Sequence, residues 1–250
     1  MRLPHGEKEG DEIGRGRFAV ILARPENHEN IGLVARAMKN TGFGDLRLVG
    51  IESLRPEAFR TAVHSELILR KARYFSDLPA ATGSLHLVFA STARGRDTFA
   101  VQTFAEAIET IRSSPRGSRI GLLFGNERTG LTSEELGAAN YVFSLPQASR
   151  QPSYNLASAV LLTLFALFTL PGAAPAGRET LPAPRAALED CLRVVLMKLE
   201  RTGFIHGGNR AHVSEMVRGL FGRMALTDRD RKFLMAVFNQ SVERDRDPGR

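Results

Sequence analysis

Five short and nearly unbroken apolar runs set the strongest limit on what this chain can fold into. They are FAVILA (18–23), LRLVGI (46–51), LHLVFAS (85–91), IGLLFG (120–125) and YVFSL (141–145). A strand with one wet face alternates polar and apolar residues, whereas a strand buried on both faces stays apolar throughout. These runs are of the second kind. Segments with helical period separate them, notably IGLVARAMKNTG (31–42) and QTFAEAIETIR (102–112). The pattern predicts an α/β fold built on a parallel sheet covered on both faces. Ligands of such sheets collect outside the carboxyl ends of the strands, so the polar residues that follow each run are the first candidates for chemistry.

Past residue 170 the composition changes. PGAAPAGRETLPAPR (171–185) holds four prolines and two glycines and cannot build a regular element, so 171–186 reads as a semi-rigid linker. Three helical patterns follow, ALEDCLRVVLMKLERTG (187–203), AHVSEMVRGLFGRM (211–224) and DRDRKFLMAVFNQSVE (228–243). Gly203 suits a C-cap and Thr227–Asp228 an N-cap. Residues 187–250 are therefore expected to form a small all-α module, behind a main domain over 17–170 and a disordered leader over 1–16. That leader is charged and Gly-rich, without the apolar stretch of a signal peptide. LASAVLLTLFALFTL (156–170) is the one long apolar segment. It is shorter than the ~20 residues a membrane span needs, and reads instead as a buried helix shared between the core and a subunit interface.

Lys and Arg number 34 against 27 Asp and Glu, a formal charge of +7, which favours polyanionic partners and nucleic acid above all. The single cysteine, Cys191, rules out an intramolecular disulfide and a multi-cysteine metal site, and a reducing cytoplasm fits. The six histidines are scattered, and no metal-binding spacing and no phosphate-binding P-loop occurs.

Three segments place Asn, Arg, Glu or Ser beside glycines near strand ends: ENHENIGLVARAMKNTGFG (26–44), GLLFGNERTGLTSEEL (121–136) and FSLPQASRQPSYNLASAV (143–160). Each has an ordinary reading. Asn30 could cap the helix it opens, with Gly32 allowing a close backbone approach. Arg36 could be a solvated helix arginine, although the apolar face of Ile31, Val34, Ala35 and Met38 should aim it toward the top of the sheet. Glu127 could be a plain surface carboxylate. Thr132 and Glu135 form a capping-box pattern that needs no functional explanation. Ser153 could be the N-cap of the apolar helix.

Taken together, the segments resemble the three motifs of the SpoU/TrmH class of SPOUT RNA methyltransferases, and the chain from Arg17 to about Arg244 resembles its TrmJ type. The first segment carries N-x-G-x-x-x-R as Asn30, Gly32 and Arg36; the second carries L-F-G-x-E-x-x-G-L across Leu123–Leu131; the third carries the serine and asparagine of S-L-N as Ser153 and Asn155. Tyr154 stands where leucine is usual.

The resemblance implies a SPOUT fold with a C-terminal trefoil knot and a homodimer whose sites draw on both subunits. It implies S-adenosyl-L-methionine as methyl donor and a ribose 2′-OH in RNA as acceptor. The substrate it favours is tRNA, at a pyrimidine at position 32 of the anticodon loop. The alternatives are ribosomal RNA, or an inactive relative that only binds RNA. Neither a metal nor a membrane is implied, and the location is cytoplasmic. Catalytic roles would fall to Arg36, Asn30, Glu127, Ser153 and Asn155. Cofactor contacts would fall to Ser91, Thr92 and Ala93, to Gly125 and Leu145, and to Pro152, Ser153 and Tyr154. RNA contacts would fall to Arg24, Arg94, Arg96 and Arg150, the middle two matching the family's T-A-R-x-R. The family's mechanism assigns the arginine at position 36 as general base. A guanidinium ordinarily keeps its proton, so the same residue could instead clamp a phosphate and orient the hydroxyl.

Overall fold

The computed structural model describes residues 13–93, 100–148, 153–170 and 180–244. A short 3-10 turn at Arg15–Arg17 leads into β1 (Phe18–Ala23), α1 (His28–Thr41), β2 (Asp45–Val49), α2 (Pro56–Ala62), α3 (Glu66–Arg70) and β3 (Arg73–Phe75). Next come α4 (Leu78–Thr82), β4 (Leu87–Ser91), β5 (Val101–Thr103), α5 (Phe104–Arg112), β6 (Ile120–Phe124), α6 (Ser133–Gly137), β7 (Tyr141–Ser144) and α7 (Leu156–Phe168). The C-terminal module is α8 (Arg185–Arg201), α9 (Arg210–Arg223) and α10 (Asp228–Arg244).

All seven strands run parallel in the order β3-β2-β1-β6-β4-β7-β5. The five apolar runs became the five inner strands. The edge strands β3 and β5 have three residues each and lie partly exposed, so no apolar run announced them. Every residue of β1 is buried, and alternate side chains enter opposite cores. Phe18, Val20 and Leu22 pack with Ile31, Val34 and Met38 of α1 and Val160, Leu164 and Leu167 of α7. Ala19, Ile21 and Ala23 pack instead with Leu78 and Ala81 of α4 and with Leu131, Leu136 and Ala139. Each large apolar side chain so buried contributes roughly 1.5–3 kcal/mol, which is why the sheet stays closed at both faces.

α1 crosses α2 at Gly32, whose missing Cβ leaves room for the Ala58 carbonyl and the Thr61 hydroxyl. The close approach expected at Gly32 is thus made by α2. On α7 the buried face is Leu156, Val160, Leu164 and Leu167, yet Leu161, Leu162, Phe165 and Phe168 on its other side are exposed, Phe165 by 54%. Among the described residues no helix is long and apolar enough to cross a membrane.

The helical module docks at the amino-terminal ends of β4 and β7. Backbone N–H groups of Arg185 and Ala186 donate to the carbonyls of Leu85 and Gly83. Buried Asn140 collects the contact: its Oδ1 accepts from Val88 N at 2.8 Å and from the Arg185 guanidinium at 3.1 Å. Its Nδ2 donates to the Gly222 carbonyl at 2.8 Å. Gly222 also lies so close to the Gly137 carbonyl of α6 that a Cβ would collide. The caps of the module match expectation, with Gly203 left-handed at φ 77° and Thr227 exchanging hydrogen bonds with Asp230.

Candidate active site

Three neighbouring strands, β6, β4 and β7, end together, and the chain leaving each of them turns into one cleft of about 300 Å³. Ser91, Thr92 and Ala93 come from the end of β4, Gly125 from β6 and Leu145 from β7; Ser153 and Tyr154 enter from the start of α7. Every expected cofactor position among the described residues therefore lines this one cleft. Pro152, Arg94, Arg96 and Arg150 lie outside the described residues.

The far wall is the turn Asn126–Leu131, the second half of the second motif. Asn126 is 5% exposed and builds that turn: its Oδ1 accepts from Arg128 N at 2.9 Å and Thr129 N at 3.0 Å, and its Nδ2 donates to the Arg24 carbonyl at 2.8 Å. Gly130 adopts φ 69°, a conformation open to glycine at no steric cost. A Cβ on Gly125 would run into the backbone of Gly130 and Leu131. Glycine at 125 is thus a packing requirement that lets the turn fold over the strand end.

Glu127 is half-buried and collects donors. Its Oε2 accepts from Glu26 N at 3.0 Å, and its Oε1 accepts from Asn27 N at 3.2 Å and Asn30 Nδ2 at 3.0 Å. Burial raises its pKa, but the hydrogen bonds from Asn30 and from the backbone of Glu26, Glu127 and Asn27 outweigh that and hold the carboxyl below its ordinary range. Asn30 passes the connection on. Its Oδ1 accepts from Asn155 Nδ2 at 3.0 Å, and Asn155 in turn caps α7 through Ala157 N at 2.9 Å. One hydrogen-bonded line thus joins the three motif segments.

Two ordinary readings are corrected. The N-cap of α1 is Asn27, whose side chain accepts from Glu29 N, so Asn30 sits inside the first turn, free to bridge Glu127 and Asn155. The N-cap of α7 is Asn155 rather than Ser153, because the helix begins at Leu156 and the Asn155 side chain accepts from Ala157 N and Ser158 N. Tyr154, in the position where leucine is usual, donates its phenol to the Pro146 carbonyl at 2.8 Å and ties the exit of β7 to the entry of α7.

Arg36 and Arg24 are placed differently from the cleft residues. Six residues on from Asn30, helix geometry turns Arg36 about 120° around the axis. It lies exposed with Leu33 and Asn40 and does not line the cleft of its own chain. Arg24 is engaged: Nε and Nη2 fork onto the Glu135 carboxylate at 2.8 and 2.7 Å, and Nη2 also reaches the Gly130 carbonyl at 3.2 Å. The capping box at Thr132 and Glu135 forms as expected, so its glutamate serves two partners at once. That second partner had no signal beyond an arginine at a strand end. Among the described residues no group of three or more His, Cys, Asp or Glu could hold a metal ion.

A parallel α/β sheet whose strand ends carry these three motifs defines a methyltransferase of the SpoU class. The model of the SpoU rRNA Methylase family matches residues 17–165, more than half of the chain, and the chain belongs to that family. Its relatives include the tRNA (cytidine-2'-O-)-methyltransferase TrmJ of Methanocaldococcus jannaschii, 34% identical over 160 residues that cover 61% of this chain and 67% of that protein. The tRNA (cytidine/uridine/adenosine-2'-O-)-methyltransferase TrmJ of Pseudomonas aeruginosa is 28% identical over 241 residues, covering 90% of this chain and 93% of that one. The crystal structure of TrmJ from Z. mobilis ZM4 aligns with a TM-score of 0.79 at 30% identity, over 89% of this chain and 97% of that chain.

Proposed function

We propose that this protein is a homodimeric, S-adenosylmethionine-dependent methyltransferase that modifies a ribose 2′-OH in tRNA, at a pyrimidine at position 32. The observation that carries the reading is the convergence of the cofactor positions implied by the family motifs on one cleft, in a chain whose relatives are named tRNA 2′-O-methyltransferases. The cleft suits a nucleoside-bearing cofactor. Its volume is in the range of small-molecule sites, Leu131, Leu145 and Leu156 give it apolar walls, and Gly125 and Gly130 bring backbone close. S-adenosylmethionine, when bound, supplies a sulfonium methyl to an attacking oxygen.

The chain's own part is binding and alignment. Ser91, Thr92, Ala93, Leu145, Ser153 and Tyr154 hold the cofactor, with Pro152 beside them. Glu127, Asn30 and Asn155 fix the turn, α1 and α7 in one relation. Arg36 faces outward from α1, and the exposed Leu161, Leu162, Phe165 and Phe168 of α7 suit a second copy of the chain. In that arrangement Arg36 serves the partner's cleft, either taking the hydroxyl proton or holding the adjoining phosphate. Orientation of this kind supplies several kcal/mol of the barrier reduction, up to roughly 7–11. Arg94, Arg96 and Arg150 are the proposed RNA contacts. The trefoil threading, the division into 17–170, linker 171–186 and module 187–250, and a cytoplasmic location belong to the same reading.

The test is to incubate the protein with tRNA and methyl-labelled S-adenosylmethionine, then hydrolyse the RNA in alkali. A 2′-O-methyl group blocks cleavage of its own linkage, so label should survive in an alkali-resistant dinucleotide that maps to position 32. Label released in mononucleotides, as base methylation would give, would overturn the reading. Label at position 34 would move the target and keep the chemistry. That neighbouring site is the one treated in a similar structure described as "Structural insights into the 2-OH methylation of C/U34 on tRNA" (25% identical, TM-score 0.50).

A further inference from the structure

Arg24 follows β1 and reaches the Gly130 carbonyl of the cleft wall, where a basic side chain invites the role of phosphate contact. Its surroundings give it a different task. The residue sits at φ 52°, a left-handed conformation that side-chain-bearing residues rarely adopt, and backbone strain of this kind persists only where neighbours over-determine it. They do so here. Arg24 N donates to the Val49 carbonyl at 2.8 Å, and the Arg24 carbonyl accepts from buried Asn126 Nδ2 at 2.8 Å.

With its backbone held from both sides, the guanidinium points at the turn. Nε and Nη2 grip both oxygens of Glu135 at 2.8 and 2.7 Å, and Nη2 reaches the Gly130 carbonyl at 3.2 Å. The same carboxylate accepts from Thr132 N at 2.7 Å, so the fork fixes the turn on both sides of Leu131. Gly130 and Leu131 line the cleft, and Gly125 packs beneath them. Arg128 differs: its side chain is 79% exposed and only loosely paired, with Glu26 at 3.5 Å.

We propose that Arg24 is a positioning residue for the cofactor wall: through Glu135 and the Gly130 carbonyl it holds the 126–131 turn in its binding shape, and it does not contact RNA. The inference rests on the reading of the cleft as the S-adenosylmethionine site. Planar, two-pronged recognition is what a lysine cannot reproduce, so even the conservative change should act.

The test measures two affinities in the same dimeric protein, for S-adenosylmethionine by calorimetry and for tRNA as a function of salt. In Arg24→Lys and Glu135→Gln the Kd and KM for S-adenosylmethionine should rise about tenfold, the size of one lost charge-assisted hydrogen bond. RNA affinity and its salt slope should stay at wild-type values, and saturating cofactor should restore kcat. A phosphate contact would do the opposite, weakening RNA binding and reducing the salt slope by about one; that outcome overturns the proposal, as does an unchanged cofactor affinity in both variants. Pairing Arg24→Lys with Glu135→Gln should cost little more than either alone, and full additivity counts against the fork. Wild-type protein that takes up no S-adenosylmethionine strikes the reading of the cleft itself, a failure distinct from unchanged variants of a protein that binds it.

Discussion

Asn155 donates its side-chain amide to Asn30 Oδ1 at 3.0 Å while its own Oδ1 caps α7. Two residues 125 apart in sequence thus couple the start of α7 to the first turn of α1, and Asn30 carries the coupling on to Glu127. The two ends of the Asn155 amide do separate jobs, which substitution can divide.

Asn155→Asp keeps an oxygen for the helix N-terminus and removes the donor to Asn30. Thermal stability should stay near wild type while methyl transfer falls by roughly 10²-fold, the scale of a displaced catalytic frame. Asn155→Ala should lose the same activity and, in addition, about 1 kcal/mol of stability with the cap. Denaturant melts and single-turnover rates check both, and a fully active Asn155→Asp protein would refute the coupling.

Gly125→Ala introduces a methyl where the backbone of Gly130 and Leu131 already lies. Such overpacking costs about 1–3 kcal/mol, and here the movable part is the cofactor wall. Calorimetry should show S-adenosylmethionine affinity falling much further than the loss of stability implies. Unaltered binding would mean that the turn plays no part in the site.

Acid should loosen the site before it unfolds the sheet. Burial pushes the Glu127 and Glu135 carboxyls up, yet both lie below their ordinary value of 4.5, Glu127 through Asn30 and backbone N–H groups, and Glu135 through Arg24 and Thr132. A carboxylate depressed in the folded state adds stability that is present above its unfolded pKa and lost as pH falls through the folded one. Stability should therefore hold above pH 4.5 and decline below it, and Glu127→Gln and Glu135→Gln should each flatten that decline. Equal slopes in wild type and both variants would contradict the assignment.

Phe165→Asp places a charge on the exposed face of α7. Sedimentation should show a monomer that has lost methyl transfer. Mixing two full-length variants, Arg36→Ala and Gly125→Ala, at a cofactor concentration too low to load the second, should recover part of the activity, because a mixed dimer holds one cleft with an intact turn facing an intact Arg36. No recovery after subunit exchange would place Arg36 with its own chain's cleft.

The inner sheet was legible because burial on both faces leaves an unbroken apolar run, and β1, β4 and β6 carry little else. β3 and β5 were illegible for the same reason: three partly exposed residues at an edge hold no periodic signal. The caps show a second limit. Asn27 and Asn30 are the same residue type three positions apart, and only the backbone path decides which one caps α1. Ser153 and Asn155 pose the same ambiguity at α7. Glu135 was fully accounted for by its capping box, so nothing in the sequence pointed to Arg24 as its second partner. The cofactor positions were found by family motif, since contacts made through backbone atoms leave no mark in side-chain chemistry.

The helical module is bolted on at Asn140, Arg185 and Gly222, at the opposite end of the strands from the cleft. Strands of five residues set those two places roughly 16 Å apart or more, and the buried joint keeps the interval constant. The molecule is thereby a caliper. A ligand touching both jaws must span at least that gap, a reach that a folded polynucleotide has and a free nucleoside lacks.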